Sequence, residues 1–324
     1  MREESAPEVS VIIPVYNKAD YVVPCVDSVL AQTMADQIEV ILMDDCSTDG
    51  SLELLRKTYG KHPKVRILQN EKNSGAGMTR KFALEHARGE KIAFIDADDT
   101  VEPEYLHRMY EAMKATQADM VDEGRPDFWR KGNKGMVLPS NGAERLLLLR
   151  YFLINTNMVQ QMTTRSLLER CSKYFTGMRF FEDAFLGVVL LCLAERYVVI
   201  PGTLYHVVST PDSVTRGDLL DKVPDYVENT LEVFQRFLDF QKETPSLQAN
   251  GEAISVVYSY FLNLSVDVLF KPVFQQYPPW EVNGKIHETL RKHFSESEAV
   301  YIQLLLNKVC MEQGKQYGKD LGDK

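Results

Sequence analysis

The chain has 324 residues, 44% hydrophobic and 26% charged, with 37 basic and 46 acidic side chains giving a net charge of −9. This length allows two domains, or one large domain with an appendage, and the composition excludes wholesale disorder and a collagen-like or linker-dominated chain. The acidic balance argues against non-specific nucleic-acid binding, which needs a basic footprint.

Val9-Ser-Val-Ile-Ile-Pro-Val15 is a nearly continuous apolar run rich in β-branched residues and reads as a buried parallel strand. A helix is expected over 20–32, with Val22, Val23, Val26, Val29 and Leu30 at helical spacing. A second strand over 38–43 ends in Asp44-Asp45, and Ser47-Thr-Asp-Gly50 caps a helix to about residue 59. A third strand over 65–68 leads through Asn73-Ser-Gly-Ala-Gly77 into a helix over 73–87. A fourth strand over 91–95 ends in Asp96-Ala97-Asp98-Asp99 and is followed by a helix over 102–117. Strand and helix alternate four times, which implies an α/β fold with a mostly parallel sheet flanked by helices.

Later elements are less regular. Strands are expected at 119–122, 158–162, 197–200 and 203–208, and helices at 143–153 and 180–194, with a basic loop over 124–135. Beyond residue 222 helices are expected at 223–241, 251–270, 283–294 and 296–313, interrupted by an aromatic, proline-rich link over 270–280. Five widely spaced cysteines, Cys25, Cys46, Cys171, Cys192 and Cys310, form no CxxC pair, so a reducing cytosol is the simplest compartment. The first five residues carry acids where a signal peptide has bases, and the longest apolar stretch, over 184–194, is far below the ~20 residues that span a bilayer. No membrane anchor is therefore expected, while docking at the inner face of the cell membrane remains compatible.

Ligands of such sheets sit at the carboxyl ends of the strands, and three of these ends are polar. Asp96, Asp98 and Asp99 repel one another unless a cation or hydrogen-bond donors share the site. A hard ion, Mg²⁺ or Mn²⁺, takes oxygen ligands and bridges phosphate oxygens; the alternative is a solvated turn that caps the next helix. Asp44 and Asp45 can accept a nucleobase N–H or a ribose hydroxyl, or cap the helix after Ser47. Tyr16 can stack on a base. The glycine-containing turn at Asn73 and Gly75 allows close backbone approach to a phosphate, and Arg80 adds a positive charge. The turn lacks the Lys-Ser/Thr of a P-loop and the GxGxxG of a dinucleotide fold, which discounts an ATPase or a dehydrogenase.

As an ordered set, Val11-Ile-Ile-Pro-Val-Tyr-Asn17, Ser28-Val-Leu-Ala-Gln-Thr33, Asp44-Asp-Cys-Ser-Thr-Asp49, Asn73-Ser-Gly75, Arg80, Phe94-Ile-Asp-Ala-Asp-Asp99, Phe181-Glu-Asp183 and Leu204-Tyr-His206 with Ser213-Val-Thr215 resemble the family 2 glycosyltransferases of GT-A fold, over about residues 8–216. The resemblance implies a transferase domain over 1–216, with a nucleotide-binding part (8–122) and an acceptor part (123–216), followed by a C-terminal helical region over 217–324. It implies a nucleotide-sugar donor, most simply a UDP-sugar, and inversion at the anomeric carbon. Pro14, Val15, Tyr16 and Asn17 with Asp44 and Asp45 would surround the base. Asp96 and Ala97 would lie near the ribose, and Asn73, Gly75 and Arg80 near the diphosphate. Asp98 would ligate the metal, Mn²⁺ or Mg²⁺, with Asp99 beside it. His206 is a candidate neighbour of the metal or the pyrophosphate, with a hydrogen-bonded strand histidine as its alternative.

Asp183, after Glu182, matches the family's catalytic base. Single displacement needs one base to deprotonate the acceptor hydroxyl. At a helix start this carboxylate is expected to have a low pKa and to act mainly by orienting the hydroxyl; helix-dipole complementation is its alternative role. Thr79-Arg80-Lys81 stands where the family often has Ala-Arg-Asn. No Gln-x-x-Arg-Trp motif or membrane span is present, so the expectation is non-processive transfer to a carbohydrate or lipid-linked glycan acceptor in surface-polysaccharide or glycoconjugate synthesis. A homodimer through the helical region fits the pattern. The rival readings are a catalytically silent nucleotide or glycan binder on the same scaffold, and a sugar-nucleotide pyrophosphorylase. The latter should carry a basic, glycine-rich loop where this chain has Tyr16-Asn-Lys-Ala.

Overall fold

In a computed structural model, residues 6–124, 136–137, 141–151, 156–202, 204–208, 219–304 and 306–307 are described. The chain divides into two compact units, Met1–Val208 with Thr244–Val256, and Ser209–Glu243 with Val257–Lys324.

The first unit is built on β1 (Val9–Val15), α1 (Val22–Leu30), β2 (Ile38–Asp44), α2 (Ser51–Tyr59), β3 (Val65–Gln69), α3 (Ala76–Leu84), β4 (Lys91–Phe94), β5 (Thr100–Val101) and α4 (Tyr105–Thr116). Then come β6 (Met120–Gly124), β7 (Met136–Val137), α5 (Gly142–Leu146), β8 (Gln161–Thr164), α6 (Arg165–Arg170), α7 (Glu182–Leu193), β9 (Tyr197–Pro201) and β10 (Tyr205–His206). Eight strands form one sheet in the order β3-β2-β1-β4-β8-β6-β9-β7. β3, β2, β1 and β4 are parallel, β8 runs antiparallel to both β4 and β6, and β9 is parallel to β6. A short antiparallel pair, β5 with β10, stands apart. This is the mixed, mostly parallel α/β sheet of the GT-A fold.

Central parallel strands are covered on both faces, so β1 and β2 can be apolar along their whole length. Val11, Ile13, Val15, Val40 and Leu42 pack with Val22, Cys25, Val26 and Val29 of α1 and with Leu106, Met109 and Met113 of α4. Each such fully buried side chain contributes roughly 1.5–3 kcal/mol. The register aligns Val15 with Asp44 and Asp44 with Gln69, so the carboxyl ends of these strands reach one edge together. Farther along, buried Glu123 accepts from the backbone N–H of Leu204 (2.7 Å) and Tyr205 (3.1 Å) and so pins β10. Buried Arg145 donates to the carbonyls of Leu191 (2.7 Å) and Ala194, satisfying the carboxyl end of α7.

Several expectations shift. The strand expected over 158–162 forms at Gln161–Thr164, and that over 203–208 contracts to Tyr205–His206. The helix expected over 143–153 is α-helical only to Leu146 and then a 3-10 turn. Most of the basic loop at 124–135, Ser213–Thr215 and Cys310 lie outside the described residues.

The second unit is helical. α8 (Val223–Glu243) lies in it, α9 (Pro245–Gln248) belongs to the first unit, and α10 (Gly251–Leu264) passes from one into the other. A π-helical turn, Ser265–Phe270, then leads into α11 (Lys271–Gln276), and α12 (Pro279–Leu290) follows. Aromatic side chains form the interior, with Phe237 edge-on to Tyr258 at 5.1 Å and to Phe261 at 6.0 Å. The interruption expected from residue 270 begins only after Gln276. Pro272 has no N–H to donate into the preceding turn, and the wider π turn just before it takes up the misfit. The helical run Gly251–Gln276 is thereby 26 residues long and contains an 18-residue stretch of mean hydropathy 1.6, so by length and composition it could cross a membrane. Of that stretch 41% is buried inside the protein, and a core helix meets the same measure of length and composition, so the run does not overturn the expectation of no membrane anchor.

Candidate active site

The turn after β1 is fixed by the turn after β2. Asn17 N–H donates to Ser47 Oγ (3.0 Å), Thr48 N–H to Asn17 Oδ1 (2.8 Å), Lys18 N–H to Ser51 Oγ (2.9 Å) and Ala19 N–H to Asp49 Oδ2 (3.0 Å). Asn17 takes up the left-handed conformation this clip requires, at φ 51°. Beside it Tyr16 stands 48% exposed, while Pro14 is half-buried and Val15 lies in the core. A ligand at this strand end thus meets the Tyr16 ring and not the Val15 side chain.

The two aspartates after β2 differ. Asp44 is fully buried; its Oδ2 accepts from Ser47 N–H (3.1 Å), and its Oδ1 has no hydrogen-bond donor among the described residues. Asp45 accepts from Ser74 N–H (2.9 Å), Gly75 N–H (2.9 Å) and Asn70 Nδ2 (2.7 Å). It clamps the glycine turn that starts α3. Gly75 has φ 81°, and a Cβ on Gly77 would lie 2.3 Å from the Thr176 carbonyl oxygen, so only glycine lets α3 press against that segment and Glu182. Asn73 at the head of the turn is exposed.

Arg80 projects from α3 into the interior and is 4% exposed. Its Nη2 donates to Asp96 Oδ1 at 2.7 Å and its Nη1 to Glu182 Oε1 at 3.5 Å, while Nε has no partner. One buried guanidinium thus ties the first aspartate after β4 to the start of α7. Asp183, next to Glu182, accepts from Ala184 N–H (2.7 Å). Burial pushes the Glu182 carboxyl up to about 8, with the Asp183 charge adding and Arg80 opposing. Burial also raises Asp183, again against Arg80. The low pKa expected for Asp183 at a helix start is therefore corrected: loss of hydration outweighs the helix end.

The acidic turn after β4 splits by direction. Asp96 is 39% exposed at its side chain, and Ala97 is buried. Asp98 pairs with Lys18 Nζ at 2.5 Å, with side chains 18% and 19% exposed. Asp99 turns inward and accepts from Tyr205 Oη (2.7 Å) and Val208 N–H (2.8 Å). Burial pushes its carboxyl up to about 6 despite those two donors. His206 meets Glu102 Oε1 at 2.7 Å and is half-exposed. The structure thus joins Asp96, Arg80, Glu182 and Asp183 in one network, while Asp99 and His206 take partners of their own. Lys18 and Tyr205 were not singled out from sequence; their one signal was position, Lys18 directly after the Tyr16-Asn17 strand end and Tyr205 inside the matched Leu204-Tyr-His206 segment.

Among the described residues no group of three or more His, Cys, Asp or Glu side chains could hold a metal ion. Asp98 supplies a hard oxygen donor on an accessible rim already chosen by a cation, the Lys18 ammonium. Mg²⁺ and Mn²⁺ bind through one or two carboxylates plus substrate phosphates and water, so the donor set fits such an ion shared with a diphosphate.

Residues 10–182 match the family described as glycosyl transferase family 2. The succinoglycan biosynthesis protein ExoO of Rhizobium meliloti is 37% identical over 234 residues, covering 68% of this chain and 66% of that protein. The poly(ribitol-phosphate) beta-glucosyltransferase of Bacillus spizizenii is 40% identical over 116 residues, covering 35% of this chain and 18% of that one. The chain spans less than two thirds of the length of these curated relatives. The crystal structure of S. aureus TarS 1–349 in complex with UDP superposes with a TM-score of 0.61 over 87% of this chain and 80% of that one, at 21% identity, a likeness of fold. With more than half of its residues matched, this chain belongs to glycosyl transferase family 2.

Proposed function

We propose that the protein is a non-processive, inverting glycosyltransferase that moves one sugar from a nucleotide diphosphate donor to a hydroxyl acceptor. The observation that carries this reading is the Arg80 bridge, which sets Asp96, at the donor end of β4, and the Glu182–Asp183 pair within one ion-pair network. Donor-binding and proton-accepting carboxylates are thereby adjacent, as single displacement at an anomeric carbon requires.

In this mechanism the exposed Tyr16 ring stacks on the base, and buried Asp44 holds the turn after β2 through Ser47 N–H. Asp45 acts by holding the turn of Asn73 and Gly75 at the head of α3, beside the diphosphate. Asp96 faces the ribose and fixes Arg80. Asp98 would hold Mn²⁺ or Mg²⁺, with Asp99 supporting the turn and His206 at its margin; the ion, when bound, neutralises charge developing on the leaving diphosphate. Asp183 accepts the acceptor's hydroxyl proton as the new C–O bond forms at the anomeric carbon and the bond to the phosphate oxygen breaks, its electron pair leaving with the diphosphate. Burial raises both carboxyls; Glu182, pushed up to about 8, keeps its proton near neutral pH and so spares Asp183 a second negative charge beside it, while Asp183 must be ionised to accept the acceptor's proton.

A UDP-sugar is the donor we favour. TarS structures in complex with UDP and UDP-GlcNAc support this, and a mannosyltransferase complex with GDP-Man and Mn²⁺ supports the ion. Relatives named for succinoglycan, teichuronic acid and poly(ribitol-phosphate) chemistry support a surface-polysaccharide or glycoconjugate acceptor. We assign transfer to residues 1–216 and an accessory role to 217–324, in a cytoplasmic enzyme that works at the inner face of the membrane, with the apolar run Gly251–Gln276 as the support for membrane contact. The test is a screen of nucleotide sugars with Mn²⁺ or Mg²⁺, following release of the nucleoside diphosphate. Binding of UDP with no turnover of any sugar donor would leave only a silent binder.

A further inference from the structure

The proposed reaction gives Lys18 no task, yet its ammonium lies on Asp98. We propose that Lys18 is a built-in counter-ion: it holds the Asp98 carboxylate while the site is empty, yields it to a divalent cation arriving with a nucleotide diphosphate, and then passes to the diphosphate. This rests on the metal reading above.

Three observations carry it. First, Lys18 Nζ lies 2.5 Å from Asp98 Oδ2, on the carboxylate that the metal reading gives to the divalent cation. An ammonium and a divalent ion repel each other, so they do not share that oxygen at close range. Second, the backbone of Lys18 does not move with its side chain. Its N–H donates to Ser51 Oγ and its carbonyl accepts from Tyr21 N–H (3.0 Å) and Val22 N–H (2.9 Å), starting α1. Only the flexible four-carbon stem is free to swing, and it carries three donors suited to phosphate. Third, the surroundings are acidic: Asp96, Asp98 and Asp99 share one turn, with Arg80 committed to Asp96 and Glu182. A diphosphate entering this rim needs the positive charge that Lys18 releases.

The consequence is positive coupling between metal and nucleotide, since each relieves a cost imposed on the other. Without nucleotide the metal must expel Lys18 into an acidic rim; with nucleotide the lysine gains a new partner.

The test is Mn²⁺ titration followed by the electron paramagnetic resonance of the free ion, on wild type, Lys18→Gln and Lys18→Met, with and without UDP. Both variants keep the backbone contacts that start α1, and thermal unfolding checks that they fold. Without UDP, loss of the ammonium should tighten Mn²⁺ binding roughly tenfold, the worth of about one partly buried ion pair. With UDP the gain should shrink, because wild type then no longer pays to move its lysine. Equal or weaker Mn²⁺ binding by both variants without UDP overturns the inference but leaves the metal reading intact. No Mn²⁺ bound by wild type even with UDP overturns both.

Discussion

Two groups of carboxylates occupy the first unit, and their partners set them apart. Asp45 and Glu123 accept from pairs of backbone N–H groups, Ser74 and Gly75 in one case, with the neutral Asn70 amide beside them, and Leu204 and Tyr205 in the other. Asp96, Asp98 and Glu182 are instead held by side-chain cations, Arg80 and Lys18. A backbone donor cannot leave without unfolding a turn, so an acid bound this way fastens loops. A side-chain cation can exchange its partner for a phosphate, so an acid bound this way can serve a ligand. Composition alone does not separate the groups; donor type does.

The largest effect should come from the second group. Asp183→Asn removes the proton acceptor while keeping shape and the bond from Ala184 N–H. Transfer should fall by roughly 10²–10⁴-fold with nucleotide affinity unchanged. Wild-type turnover in this variant would remove Asp183 from the chemistry. The first group should answer in stability. Asp45→Ala strips an acceptor from three buried or half-buried donors, and urea unfolding should show a loss of about 2–3 kcal/mol. If Asp45→Ala instead left stability unchanged and abolished nucleotide binding, the division drawn between the two groups would fail.

Much of this was legible in the sequence for a physical reason. Strands β1 to β4 are buried on both faces, so their apolar runs announce them, and helices between them follow from 3.6-residue spacing. The acids at their ends stood out because charge after such a run is rare. What was not legible depends on distant partners. β10 is two residues long and exists through Glu123, 81 positions away from Leu204. The helix through Pro272 needs a π turn that no local propensity signals. Asp45 as a loop clamp, and Lys18 opposite Asp98 across 80 positions, become visible only when β1, β2 and β4 align.

A smaller effect should separate ring from hydroxyl at the exposed end of β1. Tyr16→Ala should weaken UDP binding by about 1–3 kcal/mol, and Tyr16→Phe should restore it, as calorimetry would show, because stacking uses the ring face. Loss of affinity in both variants would mean that the hydroxyl, not the ring, meets the ligand.

The mildest effect concerns Glu182 and pH. Its carboxyl is raised from 4.5 to about 8 by burial, then by Asp183, against Arg80. A carboxyl raised in the folded state binds its proton there after the unfolded chain has released its own. Between about pH 4.5 and pH 8 the folded protein therefore holds more protons, and stability falls as pH rises. Arg80 is already counted in that value, so stability should fall across the window by at most about 1.4 kcal/mol per pH unit. Glu182→Gln keeps the neutral shape and should flatten this slope while leaving stability near pH 5 almost unchanged. Urea unfolding of both proteins at steps across the window checks this. Parallel slopes would show that Glu182 is ionised beside Arg80 throughout, and Asp183 would then share its recess with a second negative charge. In that case the proton assigned to Glu182 would be absent, and Asp183 would face a like charge as it accepts the acceptor's proton.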